Sequence, residues 1–485
     1  MNPSLADAKL APFQLLQEPV LSFSSDENTS ADIHPLRGLA RFGPFSRRTF
    51  GVFTPELRVA MVGPQGGRDQ IIALMKLLQQ PQTPSDRSGY VPQYPGFEKL
   101  FGIPFHAASS SARIAWPDLV DDLPFKGNTE QKIAAAFEDA LSRLDLVRSD
   151  FDVVVVHLPD GWASSTKTQT FDAHDVLKAI GAKFGIPTQV INNRAFSYSQ
   201  SSAASIAWRL AIALYVKAGG IPWKLAPMIG IPDGTAYIGL AYALRGRQGE
   251  AHYVTCCSQV FDMDGGGMQF VAFEARDPVA DTKEARKNPF LSRTDMRAVL
   301  ARSLQLYQVR NGGRLPTRLV IHKTTSFKNE ELQGVSDALA GVPEFECIEI
   351  SSNTAWRGVW MVADSSGKRP SKPSGYPVPR GVVQMRSGTS CLVWVAGNVP
   401  GASTKGDYYQ GGKSIPRPVV LTRHAGAGPL DMIALEALAL TKMDWNNDAL
   451  YDPVPVTIRY SQRLARTIAN VPELPGSIYP YRLFM

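Results

Sequence analysis

The chain has 485 residues, of which 44% are hydrophobic and 20% are charged, a balance typical of a globular protein with about two or three domains. Its formal net charge of +7 favours a polyanionic partner without requiring one. The four cysteines form no CxxC pair and the N-terminus shows no signal-like pattern, so we expect a reduced, cytoplasmic protein without structural zinc, secretion or membrane insertion.

Residues 1–35 predict an irregular lead-in with a polar loop. From there to about residue 225, apolar strands alternate with helices, which indicates a parallel, Rossmann-like sheet. The glycine-rich turn at residues 63–67 follows the first of these strands. It lacks both the GxGxxG spacing and the Gly-Lys-Ser/Thr ending of phosphate-binding loops, so we interpret it as a structural strand-to-helix turn.

Side chains suited to a terminal phosphate occur between residues 174 and 217. His174 and Lys178 are four apart in a helical pattern and therefore share one face. Gln189 falls on a short strand, and Lys217 closes the next helix before a Gly-Gly C-cap signal. An imidazole, two ammonium groups and an amide could together donate to phosphate oxygens and neutralise their charge. Taken singly, Lys217 is equally well explained as a solvated surface charge, and His174 and Lys178 alone are weaker evidence still.

The pattern changes at about residue 226, which we take as the main domain boundary. Three successive strand-like runs are followed by a helix and a fourth strand, the order of an RNase-H-like fold. More strands and two helices complete the chain. The predicted fold class is therefore α/β, with a Rossmann-like domain followed by an RNase-H-like domain.

The phosphate-type residues resemble the guide 5′-phosphate pocket in the MID domain of Argonaute proteins. That pocket has an aromatic residue or His and a Lys four apart, then a Gln in a Thr-Gln strand, then a Lys just before Gly-Gly. Here these residues are His174, Lys178, Gln189 and Lys217. A further Lys of the family, one turn before the last, corresponds to Ala213, so that contact is absent.

The resemblance extends over nearly the whole chain and implies a domain for each half. Residues 36–225 would form a MID domain that binds the guide 5′-phosphate, and residues 226–485 would form an RNase-H-like PIWI domain. This is the outline of a short prokaryotic Argonaute, which has no N and PAZ domains.

Active PIWI domains cut nucleic acid with carboxylates that clamp two divalent ions. The positions that match those carboxylates by resemblance hold Ala241, Lys323 and Gln462. An Ala, a Lys and a Gln cannot hold two Mg²⁺ ions, and the Lys would repel them. We therefore expect no catalytic residue in this chain and no enzyme activity of its own.

The resemblance also implies a function in prokaryotic defence. Short Argonautes bind a short 5′-phosphorylated guide, expected to be RNA, and pair it with single-stranded target DNA from invading viruses or plasmids. Target binding then activates a separate APAZ-bearing effector subunit, which is sirtuin-like, TIR or a nuclease. The outcome is often NAD⁺ depletion and abortive infection.

Further contacts are expected from the same resemblance. The C-terminal carboxylate of Met485, with Gln189, would hold a Mg²⁺ ion at the guide 5′-phosphate. Arg194, Arg209 and Arg463 are candidates for backbone contacts with nucleic acid, although solvated surface positions explain them equally well.

Two other functions remain open at this level. The first is a guide-dependent nuclease with substitute metal ligands such as Asp262 and Asp264 in FDMDGGG, which an ordinary hairpin turn would also explain. The second is an α/β enzyme whose first half binds a mononucleotide, against which the poor match of the turn at residues 63–67 argues.

Overall fold

A computed structural model describes the greater part of the chain. The described residues are 12–24, 30–85, 88–169, 171–193, 196, 202–245, 251–260, 269–279, 283, 289–363, 371–404, 406, 409, 415–446, 449–469 and 478–485. The strands in chain order are β1 (Phe13–Leu15), β2 (Leu21–Ser22), β3 (Ala31–Asp32), β4 (Leu57–Pro64), β5 (Phe105–Ala107), β6 (Arg113–Trp116), β7 (Val153–His157), β8 (Thr188–Ile191), β9 (Lys224–Leu225), β10 (Thr235–Arg245), β11 (Ala251–Val260), β12 (Gln269–Val279), β13 (Arg318–Lys323), β14 (Glu344–Ser351), β15 (Met361–Val362), β16 (Lys372–Pro373), β17 (Val382–Met385), β18 (Ser390–Val393), β19 (Val419–Ala425) and β20 (Ile478–Pro480).

The α-helices alternate with these strands and supply the packing layers on the two large sheets. They are α1 (Pro35–Phe42), α2 (Arg47–Phe53), α3 (Gly67–Gln79), α4 (Phe97–Phe101), α5 (Thr129–Asp145), α6 (Ala173–Lys183), α7 (Ala203–Lys217), α8 (Arg293–Arg310), α9 (Asn329–Ala338), α10 (Leu430–Leu440) and α11 (Val456–Ala469). Within the described ranges, no helix has the length and hydropathy needed to span a bilayer.

The first sheet is parallel, as predicted from the alternation of strands and helices. Its order is β5-β4-β7-β8, and β6 also pairs with β4. Every residue of β7 is buried, because α3 and α7 cover the face that carries Val153 and Val155, while α5 and α6 cover the face that carries Val154 and Val156. Burial on both faces explains why this strand reads as a continuous apolar run.

The turn at residues 63–67 is filled by a side chain of the neighbouring strand. A Cβ at Gly67 would lie 2.6 Å from Nδ1 of His157, and a Cβ at Gly63 would lie 2.9 Å from its Cβ. The glycines therefore let β4 and α3 close over the buried imidazole of His157. This packing supports the interpretation of the segment as a structural turn.

The second sheet contains the predicted RNase-H-like order. β10, β11 and β12 form an antiparallel meander, and β13 and β14 add in parallel on the other side of β10. The full order is β1-β17-β18-β19-β14-β13-β10-β11-β12-β20. α8 and α9 pack on one face against Ile238 and Leu240, whereas α11 lies against the opposite face near Tyr237 and Ala241.

The expected irregular lead-in at residues 1–35 must be corrected for its described part. β1 pairs with β17, and β2 lies between β3 and β9. Glu18 is anchored by Nε of Arg380 at 3.0 Å and Nζ of Lys442 at 2.6 Å. Strands of two or three residues are too short to produce a detectable period, so the sequence could not reveal them. The limits at residues 36 and 226 stay predictions.

Candidate functional site

The start of α6 places His174 and Lys178 on one face, as their spacing predicted. Asp172 caps the helix, because its Oδ1 accepts hydrogen bonds from the backbone N–H of His174 at 3.0 Å and of Asp175 at 3.4 Å. One turn later, Lys178 is buried and its ammonium donates to the carbonyl oxygen of Thr188 at the start of β8. The side chain of His174 is 42% exposed.

Gln189 lies next to that contact on β8. Its Nε2 donates to the carbonyl oxygen of Val190 at 2.9 Å. Its Oε1 is buried and has no hydrogen-bond partner within the described residues. Because a buried acceptor without a partner is costly, this oxygen is suited to a donor or a cation supplied by a ligand.

Lys217 is the last residue of α7, where the Gly-Gly signal ends the helix as predicted. The N–H of Gly220 donates to the carbonyl oxygen of Tyr215 at 2.9 Å, and Gly219 has a φ of 111°. Lys217 is 0% exposed, and its Nζ has no hydrogen-bond partner among the residues that the structure describes. It is therefore not the solvated surface charge that a lysine at a helix end would suggest.

The cluster brings several cationic side chains together with too few anions to neutralise them. The pKa of Lys217 is lowered to about 7, mainly by burial and also by the guanidinium of Arg463, while Asp444 has a smaller opposing effect. Burial also holds the pKa of Lys178 well below its usual value, with Lys217 and Arg463 adding to the shift. Partial burial lowers the pKa of His174, so its imidazole is neutral near pH 7.

Arg463 belongs to this cluster although it comes from the second half of the chain. It lies half-buried on α11, which contacts α6 through a hydrogen bond of 3.0 Å from Oγ1 of Thr467 to Oδ1 of Asp175. Its charge acts on His174 and on both lysines, so we place it with them rather than along a separate nucleic-acid path. No periodicity or spacing rule could have linked it to residues so distant in sequence.

Of the two other arginines considered from the sequence, the structure describes only Arg209, which does not join the cluster. Arg209 is exposed on α7, about 12 Å along the helix from Lys217. Arg194 lies outside the described residues.

The C-terminal segment lies beside the two helices that carry the lysines. The turn Tyr481–Leu483 packs against α6 and α7, and a Cβ at Gly219 would lie 3.0 Å from Nη1 of Arg482. Met485 follows and is buried. A carboxylate at this position and the free Oε1 of Gln189 are both oxygen ligands of the kind that Mg²⁺ accepts. Among the described residues, no three His, Cys, Asp or Glu side chains form a metal site.

The structure places Ala241 and Lys323 side by side on neighbouring strands. Lys323 ends β13 opposite Leu240 of β10, and Ala241 is the next residue of β10. α11 packs across these strands, but the side chain of Gln462 on it is exposed. Asp262 and Asp264, the candidate substitute ligands, lie outside the described residues.

Lys323 is not the free cation that the sequence suggested. It is fully buried, and its Nζ lies 2.8 Å and 2.6 Å from the two carboxylate oxygens of Glu331. Glu331 also accepts hydrogen bonds from the hydroxyl of Tyr242 at 2.9 Å and from the backbone N–H of Lys328 at 2.9 Å. The expected repulsion of metal ions by Lys323 must therefore be corrected, because Glu331 neutralises its charge. The same ion pair occupies both carboxylate oxygens of Glu331.

The fold and the buried cations together define an α/β protein with a Rossmann-like and an RNase-H-like sheet joined at a cationic cluster. No family model matches the chain. It is similar to the protein argonaute of Cereibacter sphaeroides (strain ATCC 17025 / ATH 2.4.3), with 22% identity over 456 residues, which is 91% of this chain and 54% of that protein.

Solved Argonaute structures share the fold. Clostridium butyricum Argonaute, bound to a guide DNA with a 5′ deoxycytidine and a 19-mer target DNA, superimposes with a TM-score of 0.69 and 16% identity over 98% of this chain and 54% of that one. Aa-Ago with externally bound siRNA gives a TM-score of 0.58 and 15% identity over 99% and 56% of the two chains. This chain thus spans about half the length of the relatives it matches.

Proposed function

We propose that this chain binds a short guide nucleic acid by its 5′-phosphate and uses it to recognise single-stranded target DNA. The observation that carries the proposal is the ammonium of Lys217, which is fully buried and has no partner among the described residues. A buried cation without a partner is unfavourable unless a ligand compensates it. The neighbouring cations Lys178 and Arg463 make an anion the fitting ligand.

A terminal phosphate suits this cluster better than a carboxylate. It carries close to two negative charges and three acceptor oxygens, which match the ammonium groups of Lys178 and Lys217 and the guanidinium of Arg463. The half-exposed, neutral imidazole of His174 would stack on or bond to the first nucleotide of the guide. Gln189 completes the set through its buried amide oxygen.

A Mg²⁺ ion fits the same proposal. The carboxylate of Met485, Oε1 of Gln189 and oxygens of the guide phosphate would be its ligands, because hard oxygen donors are what Mg²⁺ requires. The ion would reduce the repulsion between the negative charges of the phosphate and of the C-terminal carboxylate.

Target recognition would come from base pairing with a guide, which we expect to be RNA, and not from protein contacts with bases. We propose that the complex acts in the cytoplasm as a sensor of viral or plasmid DNA. It would activate an APAZ-bearing effector subunit of the sirtuin-like, TIR or nuclease kind, which leads to NAD⁺ depletion and abortive infection. The similarity to Argonaute proteins over 91% of the chain supports this assignment.

The binding test compares one labelled short RNA with either a 5′-phosphate or a 5′-hydroxyl. We expect the phosphate to strengthen binding about tenfold to hundredfold, the effect of one or two charge-assisted hydrogen bonds. The double variant Lys178→Ala and Lys217→Ala should bind both RNAs equally. Equal binding of both RNAs by the unmodified chain would refute the guide pocket, and tight binding of a mononucleotide instead would favour a small-molecule enzyme.

The chain is proposed not to cut the target itself. Ala241, Lys323 and Gln462 offer no carboxylate at the matching positions, and Glu331 is engaged by Lys323. A guide-matched, end-labelled single-stranded DNA should therefore stay intact with Mg²⁺ or Mn²⁺ over hours. Metal-dependent cleavage at one position opposite the guide would reinstate a nuclease, and loss of that cleavage in Asp262→Asn with Asp264→Asn would identify its ligands.

A further inference from the structure

Within the described residues, the ten-stranded sheet ends in an edge strand, β1, that has one unpaired side. β1 pairs with β17 on one side, and no described strand pairs with its other side. All three residues of β1 are exposed, with Phe13 57% and Leu15 56% accessible. Uncharged, apolar edge strands are unusual, because they invite pairing with another chain.

The direction of the free backbone groups follows from the hydrogen bonds of the neighbouring strands. The N–H of Leu16 donates to the carbonyl oxygen of Gly381, so it points toward β17. The carbonyl oxygen of Val382, the partner of Leu15, accepts from Trp394 on the far side of β17 and is thus turned away from β1. Successive residues of a strand direct their backbone N–H and C=O groups alternately toward one neighbouring strand and toward the other side. The N–H and C=O groups of Phe13 and Leu15 therefore point away from β17, to the free side of the sheet.

An exposed apolar patch lies beside this edge. The ring of Phe13 packs edge-on against Trp360 at a centroid distance of 5.7 Å. The patch continues along the segment that precedes β15 and into the loop after β16, where the backbone N–H of Ser374 donates to the carbonyl oxygen of Trp360 at 2.7 Å. Its exposed members are Phe13, Leu15, Trp356, Val359, Met361 and Tyr376.

The charged side chains described on the patch and its border are cationic. Arg357, Lys372 and Arg386 are exposed, and the guanidinium of Arg386 lies 4.6 Å from the ring centroid of Trp356. Residues 13–17, 352–363, 371–378 and 382–390, which form the patch and its border, contain no Asp or Glu. An acidic partner is therefore complementary to this surface.

We propose that the edge of β1 binds an extended, acidic segment of another polypeptide as an eleventh strand of the sheet. Its backbone would pair with the outward groups of Phe13 and Leu15, its apolar side chains would cover the patch, and its carboxylates would meet Arg357, Lys372 and Arg386. Pro12 limits the free edge on the N-terminal side, so side-chain contacts supply much of the binding.

A polypeptide fits the surface better than a single-stranded nucleic acid does. Nucleic acids also favour cations and aromatic rings, but their bases stack on flat faces and use no strand edge. The outward backbone groups of β1 and the aliphatic side chains of Leu15, Val359 and Met361 have no role in such a complex, whereas both are used by an added strand.

The test uses a fluorescent peptide of about seven residues that alternates glutamate with valine and phenylalanine. We expect the full chain to bind it at least about tenfold more tightly than the same peptide with lysine in place of glutamate. Leu15→Pro removes an outward N–H on an edge strand, where proline is tolerated, and should weaken binding about tenfold relative to Leu15→Ala. Lys372→Glu with Arg386→Glu should weaken it about as much.

Lys76→Glu on the exposed face of α3 is the matched charge-reversal control, and thermal melting checks that every variant is folded. Absence of peptide binding by the unmodified chain would overturn the proposal, as would equal binding by Leu15→Pro and Leu15→Ala. Binding of a 5′-hydroxyl RNA that competes with the peptide and is lost in the Lys372 and Arg386 variant would instead assign the surface to nucleic acid. Concentration-dependent dimerisation abolished by Leu15→Pro would assign it to a second copy of the chain and also overturn an acidic partner.

Discussion

Replacing Lys217 by methionine is expected to stabilise the folded chain while weakening its binding to a 5′-phosphorylated RNA about 10- to 100-fold. Both effects have one cause, which is that the ammonium is fully buried and has no partner in the described structure. Without ligand, the charge only costs desolvation energy, and methionine fills nearly the same volume without it. With ligand, the ammonium contributes a charge-assisted hydrogen bond worth about 1.5 to 3 kcal/mol.

The gain in the free energy of unfolding should be about 1–4 kcal/mol at pH 7, by analogy with buried ion pairs that are replaced by apolar side chains of similar volume. Chemical denaturation of the RNA-free protein measures it, and fluorescence anisotropy with the 5′-phosphorylated and 5′-hydroxyl RNAs measures the affinities. If Lys217 served only in packing, its replacement would lower the stability and leave the RNA affinity unchanged.

Lys183→Met provides a matched control on α6. Its side chain is 48% exposed and its partner is Glu138 on the surface. The free energy of unfolding should therefore change by no more than about 0.5 kcal/mol, and the RNA affinity by no more than about twofold. If Lys217→Met lowered stability, the ammonium would have a native partner. If the affinity for the 5′-phosphate were unchanged, Lys217 would lie outside the pocket.

The parts of this site that the sequence predicted are those governed by local rules. The i, i+4 spacing puts His174 and Lys178 on one face of α6, and the Gly-Gly signal ends α7 at Lys217. The buried strand β7 and the order of β10 to β14 were predictable for the same reason, since apolar runs and turns define them within a few residues.

What the sequence could not predict depends on contacts between distant segments. Arg463 reaches the lysines only because α11 packs on α6, and β1 becomes an edge only because β17 pairs with it. The depth of burial of Lys217 was also hidden, because a lysine in the last turn of a helix is usually solvated. Glu331 illustrates the same limit, since only the fold reveals that it neutralises Lys323.

The affinity for a 5′-phosphorylated RNA should fall by about tenfold for each pH unit above 7. The pKa of Lys217 in the free protein is about 7, against an ordinary value of 10.5, and the phosphate binds the protonated form. Binding above pH 7 must therefore take up a proton, and each bound proton gives a slope of one logarithmic unit per pH unit. Lys178, whose pKa is also lowered, would steepen the same slope.

The stability of the RNA-free protein should change with pH in the opposite direction. Between pH 7 and about 10 the unfolded chain holds a proton on Lys217 that the folded chain lacks, so the free energy of unfolding rises with pH across this window. Below about pH 6 the phosphate itself becomes protonated, which places the optimum for binding near neutral pH.

Calorimetric titrations with the 5′-phosphorylated RNA at pH 8, in two buffers of different ionisation enthalpy, would count the protons taken up. We expect at least about 0.5 proton for the unmodified chain and a clear reduction in Lys217→Met, while the 5′-hydroxyl RNA should bind with little proton uptake in both. An affinity for the phosphorylated RNA that is constant from pH 7 to 9 would mean that Lys217 stays charged in the RNA-free protein. The phosphate would then not be the group that compensates the buried ammonium.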